Sequence, residues 1–243
     1  MARTTAAMRE SGQWKILKGW RDELYPIYGE LNGERRLLCS VERAASALFG
    51  IVTYGCHMTA FVRNPSKGLQ LWVPRRAKTK STYPSMLDNT VAGGIATGER
   101  PSECIVREAE EEASLPAELV REKVKAVGMV TYFHVRDERA GGETGLCMPE
   151  CQYVYDVDLT DAGEVVPKPL DGEVEAFELM GIDEVKQAMA RGEFKPNCAV
   201  VLVDFYVRHG IITAEEVGEG EYGEICSRLH RRLEFVQVEG KEA

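Results

Sequence analysis

The sequence predicts an α/β layered domain built on a mixed sheet. Short runs rich in β-branched and aromatic residues recur along the chain, and helical patterns fall between them. The two do not alternate strictly, which argues against an all-parallel sheet. The chain has 243 residues, 44% of them hydrophobic and 28% charged, which suits one good-sized domain with appendages.

Residues 1–49 read as a small N-terminal extension of α+β type. Within it, "WKILKGWRDELYPIYG" predicts a short amphipathic helix ending near Pro26. "RRLLCSVERAASALFG" predicts a strand, then a turn or short helix that stops at Gly50. The main domain is expected over 50–213. "IVTYGCHMTAFVR" and "LQLWVPRR" read as strands paired as a hairpin through the turn "NPSKG". "AKTKSTYPSML" is a basic loop, and "DNTVAGG" a short extended segment. A helix follows, with Pro101 and Ser102 in its first turn.

"VKAVGMVTYFHVRD" and "CQYVYDVDL" predict two more strands, joined by "ERAGGETG". "EVEAFELMG" is another strand, and "IDEVKQAMARGEF" a helix with Asp183 as its N-cap. "NCAVVLVDFYVRHG" predicts a buried helix, with a strand as the alternative because of its β-branched content. Residues 214–243 read as a polar helical tail.

The net charge of −9 speaks against a general nucleic-acid binder, because phosphate backbones need a basic surface. No apolar run approaches the ~20 residues of a membrane span. The 7 cysteines are scattered, and Cys147 and Cys151 have neither a second pair nor a nearby histidine. Reduced thiols and a cytoplasmic location are therefore expected. Residues 1–9 carry Arg3 and Arg9 and no acid, so organellar targeting stays open.

The stretch "GGIATGERPSECIVREAEEEASL", residues 93–115, crowds glutamates that repel one another. On a helix, Glu108, Glu111 and Glu112 fall within an arc of about 100°. Ile105, Val106, Ala109 and Ala113 fall roughly opposite, and Glu103, Arg107 and Glu110 take the remaining sector. Three carboxylates so placed raise each other's pKa, and a hard divalent cation removes that cost. Helix geometry alone leaves a solvated acidic face open beside a metal site.

The order of residues goes further. Gly93, Glu99, Arg107-Glu108, Glu111-Glu112 and Leu115 resemble the Nudix box, G-x5-E-x7-R-E-U-x-E-E-x-G-U, where U is a bulky aliphatic residue. Ala109 replaces the aliphatic residue and Ser114 replaces the glycine after the helix. A left-handed backbone at Ser114 would cost roughly 1 kcal/mol. The flanking phrases "FGIVTYGCHMTAFV", "LWVPRRAKTKSTYPSMLDNTVAGGI" and "DGEVEAFELM" resemble the fungal and plant Nudix branch acting on thiamine diphosphate and its damaged forms. That branch is also found fused to thiamine pyrophosphokinase.

The resemblance implies an α/β/α sandwich and a Mg²⁺-dependent diphosphate hydrolase, with Mn²⁺ as an alternative metal. It implies that Glu108, Glu111 and Glu112 carry the metal, joined by the Gly93 carbonyl, and that Arg107 pairs with Glu99. Glu111 or Glu112 would serve as base. Glu173 or Glu175 would supply an outer ligand or the base, unless they are ordinary strand-edge charges. For the anionic substrate, Arg75, Arg76, Lys78 and Lys80 are candidates, one or two of which are expected to face it. Tyr83, Trp72 and Met86 are candidates to stack on a heteroaromatic ring. His57 is read as structural or as a pocket residue, and Asp88 and Asn89 as loop-fixing residues or ligands. The expected partner is a small diphosphate, and a homodimer is possible.

Other readings are hydrolysis of prenyl or nucleoside diphosphates such as ADP-ribose, or a binding domain without chemistry. Isopentenyl-diphosphate isomerase shares the fold. Its catalytic cysteine follows the Asn-Thr step, whereas Asn89-Thr90 here is followed by Val91-Ala92.

Overall fold

A computed structural model describes residues 1–32 and 34–233. A six-stranded mixed sheet has the order β6-β7-β3-β4-β8, and β5 pairs with β3. Its strands are β3 (Thr53–Asn64), β4 (Gly68–Arg76), β5 (Val91–Gly94), β6 (Lys125–Val135), β7 (Cys147–Asp158) and β8 (Val174–Gly181). The pair β3/β7 is parallel and the other pairs are antiparallel. β3 is the hinge of the design: β4 holds its C-terminal end at Phe61–Asn64, while β5 occupies the same edge at Gly55–Met58.

Alternation along β3 divides two cores. Tyr54, Cys56, Met58 and Ala60 face α2 (Pro101–Ala113) and meet Ile105, Ala109 and Leu115. Burying a side chain such as Ile105 contributes roughly 1.5–3 kcal/mol. On the other face, Phe61 packs with Leu202 and Phe205 of α5 (Pro196–Arg208), and Val154 packs with Val201. The helix reading wins for α5. Pro196 suits a first turn, and the sheet covers one side while α7 (Glu219–Leu229) covers another. The smaller α3 (Ala117–Lys123), α4 (Ile182–Ala190) and α6 (Ala214–Val217) complete the layers.

Three expectations need correction. No helix runs to Pro26: a 3-10 turn covers Lys15–Gly19, and β1 (Leu24–Leu31) pairs with β2 (Glu34–Glu42). Pro26 is tolerated because a two-stranded ribbon consists only of edges. A helix α1 (Ala2–Glu10) precedes it, where the sequence suggested no element. The N-cap of α4 is Gly181, not Asp183, and its N–H donates to Glu184 Oε2 at 2.7 Å. The expected helical tail 214–243 is α6 and α7, and its residues 234–243 lie outside the described residues. Among the described residues, no helix is long and apolar enough to cross a membrane.

Candidate active site

The glutamate helix starts seven residues after β5 ends, and the intervening loop returns the chain onto the sheet. Arg107 ties loop to helix: Nε donates to Glu99 Oε1 at 2.9 Å, and Nη1 lies 2.9 Å from both Glu108 Oε1 and Glu111 Oε2. Glu99 also accepts the Ala96 N–H at 3.3 Å. Ser114 ends the helix in the left-handed region, at φ 54° and ψ 27°. The box glycine would have supplied that conformation at no cost in strain.

Glu108 lies directly on Gly93, where a Cβ would come within 2.2 Å of Oε1. Glu112 Oε2 accepts the Ala92 N–H at 3.1 Å. Both carboxylates thus meet the backbone of β5, an edge strand. Burial pushes Glu108 up to about 7 against the opposing charge of Arg107. Burial, then the charge of Glu108, pushes Glu112 up to about 8, and Glu173 adds to the same effect from a distance. Among the described residues Glu112 has no ion-pair partner.

Glu111 is half exposed and turned onto Arg107. Accordingly, no cluster of three His, Cys, Asp or Glu side chains converges on one point among the described residues. Glu108 and Glu112 nevertheless fit a hard divalent cation: both are oxygen donors largely withdrawn from water, Glu108 shares a single guanidinium with Glu99 and Glu111, and Glu112 has no cation beside it among the described residues.

Across the sheet from the helix lies a cavity of about 450 Å³. Its floor is Gly55, His57, Glu150 and Gln152, and it reaches Gly93 and Gly94 at the β5 edge. The N-terminal extension forms its opposite wall with Lys15, Lys18, Arg21, Tyr25 and Arg43. Tyr25 Oη sits over Gly94, where a Cβ would come within 1.9 Å. His57 Nδ1 pairs with Asn89 Oδ1 at 2.7 Å, and burial, then the charge of Lys195, pulls its pKa down to about 4. The imidazole is therefore neutral near pH 7. Burial opposes the charge on Lys195, but Cys198 and Asp88 outweigh it and hold the ammonium's pKa above the ordinary value.

Residues 54–198 match the NUDIX domain family model. The chain belongs to the Nudix family. This is a family of hydrolases acting on pyrophosphate bonds. Residues 1–53 match a domain of unknown function, DUF4743. The chain is 43% identical to the uncharacterized protein YJR142W of Saccharomyces cerevisiae over 90% of this chain and 63% of that one. It is 37% identical to the chloroplastic Nudix hydrolase 20 of Arabidopsis thaliana over 91% of this chain and 55% of that one. The chain therefore spans less than two thirds of the length of these curated relatives. The crystal structure of DR0079 from Deinococcus radiodurans aligns over 74% of this chain and 97% of that one, at 22% identity and a TM-score of 0.47.

Of the residues singled out from the sequence, His57 and Tyr83 line the cavity beside the Nudix box, with Gly93 at its edge. Arg75, Arg76, Lys78 and Met86 do not line it. Arg76 is turned inward: Nη1 bonds Asp88 Oδ2 at 2.7 Å, Nε the Tyr83 carbonyl at 3.1 Å and Nη2 the Thr82 carbonyl at 2.9 Å. Arg75 Nη1 donates to the Ser85 carbonyl at 3.0 Å. A guanidinium's forked donors suit a loop full of carbonyls, so both arginines brace residues 77–87. Lys78 makes a surface pair with Glu175 at 3.6 Å, and Lys80 pairs with Glu173. Met86 is half-buried, and its carbonyl accepts the Arg76 N–H at 2.9 Å.

The sequence reading did not select Arg43, Glu150, Gln152 or Lys195. A signal was present for two of them: Glu150 and Gln152 alternate with Cys151 and Tyr153 in a strand with apolar neighbours. Polar residues at the centre of such a strand mark a face that meets something polar.

Proposed function

We propose that this Nudix protein is a divalent-metal-dependent hydrolase of an organic diphosphate, producing the monophosphate and inorganic phosphate. One observation carries the reading: two carboxylates largely withdrawn from water, Glu108 and Glu112, the latter without a cationic partner among the described residues, meet the β5 edge that borders a cavity walled by cations. Glu108 and Glu112 would hold Mg²⁺ or Mn²⁺, with the Gly93 carbonyl and Glu111 as further donors. The bound ion supplies charge neutralisation of the diphosphate and acidifies water.

The chain's own residues divide the remaining work. Arg107 holds the Gly93–Glu99 loop against the Nudix helix. Glu112, fixed by the Ala92 N–H and facing no cation among the described residues, takes a proton from the attacking water. Glu111, exposed and held by Arg107, has an outer role. Arg43 and the lysines of the extension attract the phosphates, which explains how a chain of net charge −9 recruits an anion. Tyr83 and neutral His57 contact the organic part. For that part we propose thiamine or an oxidised form of it, supported by the likeness of the phrases around the box to that Nudix branch.

The test is phosphate release from a panel of thiamine, prenyl and nucleoside diphosphates, with and without Mg²⁺. Wild type should release phosphate only with metal. Glu112→Gln should lose about 10²–10⁴-fold in kcat, the range for removing a general base. Tight binding without release would make the chain a binding module instead.

A further inference from the structure

Gln152 occupies an unusual position in the cavity. It is 5% exposed, yet Oε1 has no hydrogen-bond partner. Its other amide atom is fully engaged: Nε2 donates to Glu150 Oε2 at 2.8 Å and to Tyr132 Oη at 3.3 Å. Tyr132 Oη in turn donates to the same Glu150 oxygen at 2.7 Å. This network sets the amide's orientation. The flipped amide would press a carbonyl oxygen against a carboxylate, so the acceptor is the atom turned away from Glu150 and onto Gly55, a residue of the cavity lining.

Space has been kept for it. Gly55 is beside Gln152 in the parallel register, and a Cβ at Gly55 would come within 2.2 Å of Oε1. Gly55 in turn pairs with Gly94 of β5. Gly94, Gly55 and Gln152 thus form one row across the sheet. Two strand spacings put Gln152 about 10 Å from the β5 edge. A diphosphate at that edge leaves its organic group directed along this row, past Tyr25 Oη over Gly94, toward Gln152 Oε1 over Gly55. The neighbouring His134 adds to the polar end, its Nδ1 standing 3.5 Å from Glu150 Oε1.

We infer that Gln152 selects the organic part of the substrate by accepting a hydrogen bond at Oε1 from an N–H of a nitrogen heterocycle. The inference rests on the diphosphate-hydrolase reading for where the phosphates lie. It narrows the substrate class, because a prenyl chain has no donor and would leave the buried acceptor unmet. An unmet buried acceptor costs about 1–3 kcal/mol. At 1.4 kcal/mol per factor of ten, that corresponds to roughly 5- to 150-fold in affinity.

The test measures binding rather than turnover. Methylene-bridged diphosphates, which resist cleavage, are titrated calorimetrically in Mg²⁺ buffer. The compounds are the thiamine form, the same compound with hydrogen replacing the pyrimidine amino group, and a prenyl form. Wild type should bind the amino compound at least about fivefold tighter than the other two. In Gln152→Leu the amino and desamino forms should bind within about twofold of each other. Equal binding of that pair by wild type overturns the inference, and that result needs no variant to fold. A full preference persisting in Gln152→Leu also overturns it. Phosphate release from the cleavable compounds is followed in parallel. A preference in binding with no release refutes the hydrolase and keeps the role of Gln152, whereas release without preference does the reverse.

Discussion

Glu108 rests on Gly93 so closely that a methyl group at position 93 would come within 2.2 Å of its Oε1. The requirement is for space, since Gly93 is not among the residues with positive φ. Gly93→Ala should therefore fold, because alanine suits an extended strand, but it must push Glu108 off its seat. Overpacking of this kind costs about 1–3 kcal/mol. We expect phosphate release to fall by roughly 10- to 100-fold with a far-ultraviolet circular dichroism spectrum like that of wild type.

On the proposed reading metal should stabilise the protein, because Glu108 and Glu112 are held together only in the folded chain. At a hundredfold excess over Kd, linkage adds about 2.7 kcal/mol. For a chain of this size that is a rise of roughly 5–10 °C in Tm. Differential scanning fluorimetry with Mg²⁺ or Mn²⁺ should show the rise in wild type and its reversal by a chelator. In Glu108→Gln and Glu112→Gln it should shrink or vanish. A full rise in both variants would place the metal elsewhere.

His57 makes stability depend on pH. Its folded pKa of about 4 lies below the ordinary value of 6.5. The unfolded chain therefore takes up the proton first, and the stability present above pH 6.5 is lost as pH falls toward 4. Asp88 and Glu150 are held down to about 2, from 3.8 and 4.5, so they act in a lower window. Glu108 and Glu112, pushed up to about 7 and about 8, act in the opposite sense over the same range, because the folded chain takes up their protons first. The change in urea midpoint from pH 7 to pH 5 should therefore be more favourable in His57→Gln than in wild type.

Ser114 offers a stabilising change. Relief of its left-handed backbone by glycine is worth about 1 kcal/mol. Against this, Ser114 Oγ donates to the Lys168 carbonyl at 2.9 Å on the surface, a bond worth about 0.5 kcal/mol net. Ser114→Gly should therefore gain roughly 0.5 kcal/mol in denaturant unfolding. A loss would mean that the hydrogen bond outweighs the strain.

The Nudix box could be read from the chain alone because its parts are local. Gly93 to Leu115 is one strand end, one loop and one helix, so spacing in sequence becomes spacing in space through the 3.6-residue turn. The β3–β4 hairpin and the apolar α5 were legible for the same reason: alternation and apolar runs are short-range signals. The N-terminal hairpin was not, because Pro26 reads as a helix stop, and only pairing with β2 makes it a strand.

The cavity belongs to tertiary structure entirely. Arg43, Gly55, Gln152 and Lys195 come from the extension, β3, β7 and the start of α5, and sheet order brings them together. Tertiary structure also turned Arg76 inward and left Glu111 on the surface. A side chain's partner depends on which loop carbonyls and strands surround it, and those neighbours lie far away along the chain. Local spacing therefore determined where the acidic chemistry sits, and long-range packing decided what faces it.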